Sequence, residues 1–356
     1  MENRNHFSRR IASQPPFGKI QTSYLNLSSN ELQHPSFPQL FRRFLEQYAL
    51  TTDFSHYPAL EAGANMLETA IGAHQNSVVL TPGADLGIRA IIEAIGASNC
   101  LLAATPCYRA YQEYAAAFGL RFFGINLLRT SEDEFIAKMT NAIVTNAPCL
   151  VSIANPDGVT GRLWTHAAIS EILIVCERCH SILILDEAYA SFSAPSPMLF
   201  ERPEHCVRLK TFSKSHGAAG IRLAYIEAAP EIARQIAKTR VSNGISSFAI
   251  SYLNFILQEK AEFYRIVSDI ILWRERAENT LRSLYPYWDV PRSHANFIFF
   301  DTHCGSTINK LGLRLDKQGI RIRLFSSESD FTTCARATIA EPAIMDRLIA
   351  CIPREN

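Results

Sequence analysis

Between residues 78 and 226 the chain repeats one unit, a short apolar run followed by a stretch with helical periodicity, and this alternation restricts the fold more than any other property of the sequence. Runs at 78–80, 100–103, 121–125, 149–153, 182–185, 206–209 and 223–226 read as strands, and helices fall at 86–95, 110–118, 132–140 and 165–176. Strands that are apolar throughout need cover on both faces, and parallel neighbours need a crossover long enough to hold a helix. The pattern predicts an α/β fold, a mostly parallel sheet sandwiched by helices, with ligands gathering at the strand carboxyl ends.

Past about residue 245 the pattern changes to longer helical stretches, 250–258 and 263–284, followed by strands at 297–300 and 321–324. A large domain over 51–245 and a smaller α+β C-terminal domain over 246–356 are expected, with the irregular, Pro- and Asn-rich residues 1–50 forming an N-terminal arm and small-domain segment. Two units suit a chain of 356 residues, which exceeds one ordinary core. Thirty-five basic and thirty-four acidic residues, with no block of one sign, argue against a nucleic-acid or membrane-surface partner. The N-terminal residues lack a signal-like apolar stretch, so a cytoplasmic protein is expected. Nine cysteines read as reduced thiols rather than a disulfide framework. Cys176-Glu177-Arg178-Cys179-His180 matches a haem-attachment spacing, but it ends a helical run that leads straight into a strand, and haem attachment needs export. The ten histidines form no recognised metal-ligand spacing, so no metal is expected.

The polar residues on this frame point to chemistry. Lys214 stands in Thr211-Phe212-Ser213-Lys214-Ser215-His216-Gly217-Ala218-Ala219-Gly220-Ile221-Arg222, where hydroxyls, small residues and an arginine surround one amine. Such a lysine suits a Schiff base with a phosphorylated aldehyde, with Arg222 and Ser213 gripping the phosphate. Gly83-Ala84-Asp85 opens the helix after the first strand, where free N–H groups and the helix dipole favour an anion; capping by Asp85 is the competing reading. Asp186 ends a strand and can pair with a protonated ring nitrogen, while Tyr189, three residues on, and Asn155 at a neighbouring strand end can donate to a ring oxygen. Tyr108 can lie flat on a ring, or serve as a core tyrosine.

In this order the motifs resemble the fold-type I pyridoxal-phosphate enzymes of the class I/II aminotransferase family, and within them the histidinol-phosphate aminotransferase group, from about Leu27 to Ala340. Leu185-Asp186-Glu187-Ala188-Tyr189 and Ser213-Lys214 through Arg222-Leu223-Ala224-Tyr225 are the most specific matches. Thr81-Pro82-Gly83-Ala84-Asp85, His56-Tyr57-Pro58, Leu27-Ser28-Ser29-Asn30-Glu31 and Ala335-Arg336-Ala337-Thr338-Ile339 add to them. The resemblance implies a PLP-dependent aminotransferase acting on an amino acid or phosphorylated amine, with pyridoxal 5'-phosphate on Lys214. Asp186 would pair with the ring nitrogen, Asn155 and Tyr189 would bond the ring oxygen, and Tyr108 would stack on the ring. Gly83, Ala84, Asp85, Ser213 and Arg222 would hold the phosphate, with Tyr57 reaching in from the second subunit of a homodimer. Arg336, Arg323 and Asn30 would bind the substrate, at a site where Phe17 stands in place of the family's tyrosine. Asn155-Pro156-Asp157-Gly158-Val159-Thr160-Gly161 keeps the family's asparagine and loses its second proline, and His216 replaces an aromatic or aliphatic residue.

The same cofactor supports decarboxylation of a phosphorylated amino acid, as in threonine-phosphate decarboxylases, or oxidase or cyclase chemistry, because the bond broken depends on its orientation to the ring. A non-catalytic regulator on this fold would carry a fused DNA-binding domain, and the segment before Leu27 has neither the length nor the basic helices for one. A nicotinamide-dependent dehydrogenase would need a glycine fingerprint that is missing.

Overall fold

The structure, a computed structural model, describes residues 24–51, 55–95, 100–193, 203–325 and 331–353; Phe17 lies outside the described residues. Strand β1 (Leu25–Asn26) is followed by the helices Phe37–Thr51 and Leu60–Ile71. The alternating region folds into β2 (Val78–Thr81), β3 (Cys100–Thr105), β4 (Arg121–Asn126), β5 (Leu150–Ala154), β6 (Ile182–Asp186), β7 (Cys206–Thr211) and β8 (Ala224–Glu227). They form one sheet of order β2-β8-β7-β6-β5-β3-β4, in which β8 alone is antiparallel to its neighbours.

Both faces are covered, as the apolar strands require. Leu101, Leu150 and Ile184 pack on one side with the helices Ala84–Ala94, Arg109–Phe118 and Pro230–Thr239. Leu102, Val151 and Leu183 pack on the other with Glu132–Asn146 and His166–Arg178. Successive residues face opposite ways in a strand, so a continuous apolar run feeds two cores at once, each buried large side chain contributing about 1.5–3 kcal/mol.

Strands β9 (Phe297–Asp301), β10 (Ile320–Arg321), β11 (Arg323–Leu324) and β12 (Cys334–Thr338) follow. The single strand expected over 321–324 is broken at Ile322: β10 pairs with β1, whereas β11 joins the antiparallel sheet β11-β12-β9. Through the β1–β10 pair the N-terminal segment becomes part of the C-terminal half, and Leu27 shares a core with Phe297 and Ile339. The irregular arm expected over 1–50 is corrected by the helix Phe37–Thr51, whose Leu40, Phe44 and Tyr48 recur every fourth residue and are buried. Phe44 packs edge-on against Tyr252 of the helix Ser247–Gln258.

Strand pairing fixes where the polar residues meet. Thr81 and Thr211 both pair with Ala224, so the carboxyl ends of β2 and β7 meet the amino end of β8. Gly83, Ser213, Lys214 and Arg222 all lie within three residues of that point. Ala154 pairs with Asp186, and Asp186 with Leu209, which sets Asn155 and Asp186 on the same rim. Strand β3 adjoins β4 on one side and β5 on the other, so the build direction reverses there and a crevice opens, with Tyr108 following β3. Among the described residues no helix is long and apolar enough to cross a membrane.

Candidate active site

An anion cradle forms where β2, β7 and β8 converge. Gly83 has φ +83°, and a Cβ there would collide with the Arg222 guanidinium, so only glycine lets that cation lie against the loop. The helix Ala84–Ala94 begins at the next residue and presents its unpaired first-turn N–H groups. Thr211 Oγ1 donates to Ser213 Oγ at 2.9 Å, which orients the serine hydroxyl beside Lys214. Asp85 keeps its carboxylate occupied: Tyr108 donates to Oδ1 at 3.2 Å and Tyr114 to Oδ2 at 2.9 Å. The cradle therefore offers backbone donors, a hydroxyl and a guanidinium, a donor set that fits a phosphate ester.

Lys214 Nζ donates to the Ser29 carbonyl at 2.9 Å and lies 5.9 Å from the centre of the Tyr189 ring. Asp186 is buried, and burial pushes its carboxyl up to about 6 against the opposing pull of two hydrogen bonds. Those bonds come from the Ala188 amide to Oδ1 at 3.0 Å and the Tyr111 hydroxyl to Oδ2 at 2.9 Å. A desolvated carboxylate with one face held by donors is suited to a cationic ring nitrogen, whose charge would offset the cost of its ionisation.

Asn155 Oδ1 accepts from the Trp164 amide at 2.9 Å, which fixes the side-chain amide so that Nδ2 is the remaining donor. Tyr189 Oη accepts from Asn30 Nδ2 at 2.8 Å, so the tyrosine's own proton is left to another acceptor. Asn30 is itself pinned, its amide donating to Thr338 Oγ1 at 3.0 Å and its carbonyl accepting from Asn296 Nδ2 at 3.1 Å. Asn30, expected to meet substrate, is thus brought to the hydroxyl of Tyr189.

Arg336 reaches the same cleft from β12. Its Nη1 donates to the Gly158 carbonyl at 2.5 Å and its Nη2 to the Ser28 carbonyl at 3.1 Å, with the guanidinium 5.1 Å from the Phe297 ring centre. Tyr189 meets the same Phe297 ring edge-on at 5.4 Å. Arg323 is paired across the strand from Arg336 but is exposed, its guanidinium 5.3 Å from the Phe325 ring. Tyr108 and Tyr57 are 57 % and 81 % exposed, so each keeps open surface in this structure.

His216 packs between Phe212 and Phe263, where burial pushes its imidazole down to about 4, and Nδ1 lies 2.8 Å from Ser215 Oγ. It is a neutral packing residue at ordinary pH. Sequence reasoning missed Tyr111, buried at 2 % exposure one helical turn after Tyr108; the i, i+3 spacing of the two tyrosines was its available signal.

A family model for aminotransferase class I and II matches residues 22–352. The chain is 28 % identical to histidinol-phosphate aminotransferase 1 of Carboxydothermus hydrogenoformans, over 91 % of each chain. It is 28 % identical to an aromatic amino acid aminotransferase of Streptomyces coelicolor, over 90 % of this chain and 87 % of that one. The structure superposes on histidinol-phosphate aminotransferase from Sinorhizobium meliloti, solved with pyridoxal-5'-phosphate, with a TM-score of 0.80 at 23 % identity, covering 98 % of this chain and 97 % of that one.

Proposed function

The chain belongs to the class I and II aminotransferases, enzymes that work with pyridoxal 5'-phosphate, and from that premise we propose that it moves the amino group of a small amine bearing a phosphate or carboxylate. The observation that carries this reading is the convergence of the Lys214 amine, the buried Asp186 carboxylate and two separate cation sites, Arg222 and Arg336, around one cleft. When bound, the cofactor supplies an electron sink for charge developing at the substrate's α carbon.

The residues divide the remaining work. Arg222, Ser213 and the first-turn amides after Gly83 hold the cofactor phosphate. Asp186 would balance the ring nitrogen, while Tyr189 and Asn155 Nδ2 would donate to the ring oxygen. Lys214 Nζ, released from the Ser29 carbonyl, would take the proton from the substrate's α carbon and carry it on its own nitrogen away from that carbon. Arg336, held by two main-chain carbonyls, keeps its guanidinium plane fixed for the substrate anion. Tyr108 would lie on the ring face, and Arg323 would be the second cation for the substrate. The exposed Tyr57 is assigned to a partner subunit's site, which makes the working unit a homodimer. All nine cysteines are unpaired, which fits a reducing, cytoplasmic setting.

The similarity to relatives named for histidinol phosphate and for aromatic amino acids supports two substrate classes, a phosphate ester and an aromatic amino acid. Borohydride treatment of the holoenzyme should fix the cofactor to Lys214, and Lys214→Ala should abolish both the adduct and turnover. With histidinol phosphate and with phenylalanine as donors, an oxo product formed with neither carbon dioxide release nor oxygen uptake supports transfer. Release of carbon dioxide would replace it with decarboxylation, and oxygen uptake with oxidation.

A further inference from the structure

Three successive residues of the N-terminal segment each meet a different group of the site. The Ser28 carbonyl accepts from Arg336 Nη2 at 3.1 Å, the Ser29 carbonyl accepts from Lys214 Nζ at 2.9 Å, and Asn30 Nδ2 donates to Tyr189 Oη at 2.8 Å. The first two are main-chain contacts that any residue type could make. The third needs a side-chain amide, and Asn30 is 1 % exposed, so it has no open surface to offer a substrate.

Asn30 stands at φ +54°, a left-handed conformation that asparagine tolerates better than most side chains. Its main-chain amide donates to Thr338 Oγ1 at 3.0 Å, and the Thr338 hydroxyl faces the Leu27 carbonyl at 2.8 Å and Asn30 Oδ1 at 3.4 Å as a donor. Oδ1 is thereby turned toward β12 and Nδ2 toward Tyr189. The Tyr189 ring is buried and meets Phe297 edge-on at 5.4 Å. With the ring held and Oη accepting from Nδ2, the freedom left at that hydroxyl is the direction of its proton.

We propose that Asn30 is a positioning residue that acts through Tyr189: by donating to Oη it aims the tyrosine's proton at the cofactor's ring oxygen and lowers the pH at which the nitrogen joining Lys214 to the cofactor gives up its proton. A hydroxyl that accepts one hydrogen bond makes a stronger one in turn. A ring oxygen bonded more strongly by Tyr189 has less charge to hold the proton of the neighbouring nitrogen. The proposal rests on the placing of the ring oxygen beside Tyr189 in the function proposed above, and the experiment separates the two.

The visible absorbance of the holoenzyme, titrated with pH at saturating cofactor, reads that proton. Asn30→Gly deletes the donor and relieves the backbone at its positive φ; it should raise the midpoint by roughly half a unit, about threefold in proton affinity. Asn30→Asp keeps the shape of the side chain but puts an acceptor where the donor was, which draws the tyrosine's proton off the ring oxygen, so its midpoint should rise further, toward that of Tyr189→Phe. In the Tyr189→Phe background Asn30→Gly should move nothing, and Asn30→Asp should act only through the field of its charge. Shifts of equal size in the two backgrounds, or none where Tyr189 is present, would overturn the proposal, and a raised midpoint in Tyr189→Phe would then leave the proposed function standing. A Tyr189→Phe midpoint equal to that of the wild type would overturn both the proposal and the placing of the ring oxygen.

Discussion

Tyr111→Phe should move the ionisation of Asp186 upward and, with it, the pH range over which the apoprotein takes up pyridoxal 5'-phosphate. Tyr111 is 2 % exposed and donates to Asp186 Oδ2 at 2.9 Å, so the variant deletes one hydroxyl and leaves the ring to fill the same space. Removing a hydrogen bond to an ionised, buried group costs about 1.5–3 kcal/mol, whereas the neutral acid loses less, so the carboxyl rises by roughly one to two units. It already stands at about 6 in the unliganded protein because of burial. The sign follows from the reference state. Well below 6 the apoprotein carries a neutral Asp186 in both forms, and pairing with the ring nitrogen demands an ionised carboxylate that the variant supports less well. Well above the shifted value both apoproteins have already ionised, and the lost hydrogen bond cancels. The ratio of dissociation constants, variant over wild type, should therefore be roughly tenfold or more on the acid side and fall toward one on the alkaline side. Fluorescence titration of the two apoproteins across pH measures it, and the cofactor's own titration cancels in the ratio. A ratio independent of pH would refute the reasoning, because it would mean that the hydroxyl supports the fold and not the carboxylate.

Gly83→Ala puts a Cβ against Arg222 at a positive φ and should cost about 1–3 kcal/mol of stability in backbone strain and, by displacing the cation, weaken cofactor binding severely; Gly72→Ala, also at positive φ but with nothing within 4 Å, should cost only the strain in stability and nothing in cofactor affinity. His216 is held down at about 4 from an ordinary 6.5, so the unfolded chain binds a proton that the folded one refuses. Stability should be intact above pH 6.5 and fall as pH drops toward 4, by at most about 3 kcal/mol less what its residual exposure screens, and urea midpoints of His216→Phe should show a shallower acid decline. Arg208 bridges Glu187 at 2.5 Å and Glu227 at 3.0 Å with little exposure, so Arg208→Met should destabilise by about 3–5 kcal/mol, reduced by Lys210 at 3.6 Å from Glu187, as read from denaturant midpoints.

The middle of the sheet was legible because strands buried on both faces, such as β3, β5 and β6, are nearly continuous apolar runs, whereas the edge strand β4 is mostly exposed and β7 carries Arg208 and Lys210. Asp186 and Asn155 were legible for a related reason, since each closes an apolar strand, whereas Lys214, three residues past β7, was legible from the hydroxyls, small residues and arginine around it. Tyr111 ends no strand, and a tyrosine at a helical core position looks the same whether its hydroxyl bonds a buried carboxylate or a carbonyl. The helix Phe37–Thr51 was hidden by prolines, yet Pro38 sits in its first turn, where a missing N–H costs nothing. Strands β10 and β11, two residues each, are too short for periodicity to register, and the break at Ile322 exists only because two different sheets claim the two halves.

This difference separates what the chain says about its cofactor from what it says about its substrate. The residues proposed for the phosphate cradle and for Asp186 and Asn155 at the ring come from strand ends joined by one register, Thr81 and Thr211 on Ala224 and Ala154 on Asp186, so each is announced by a short motif beside a recognisable strand. The proposed substrate clamp has no such local origin. Arg336 is aimed by a carbonyl from the Asn155–Gly161 turn and another from the N-terminal segment, over a ring from β9, four stretches that meet only after both halves have folded. A one-residue change in any of the other three can turn the guanidinium without touching the arginine. On the proposed assignment of Arg336 to the substrate anion, preference depends on how Ser28, Gly158 and Phe297 hold the guanidinium, so Phe297→Leu should alter the choice of donor with Arg336 unchanged.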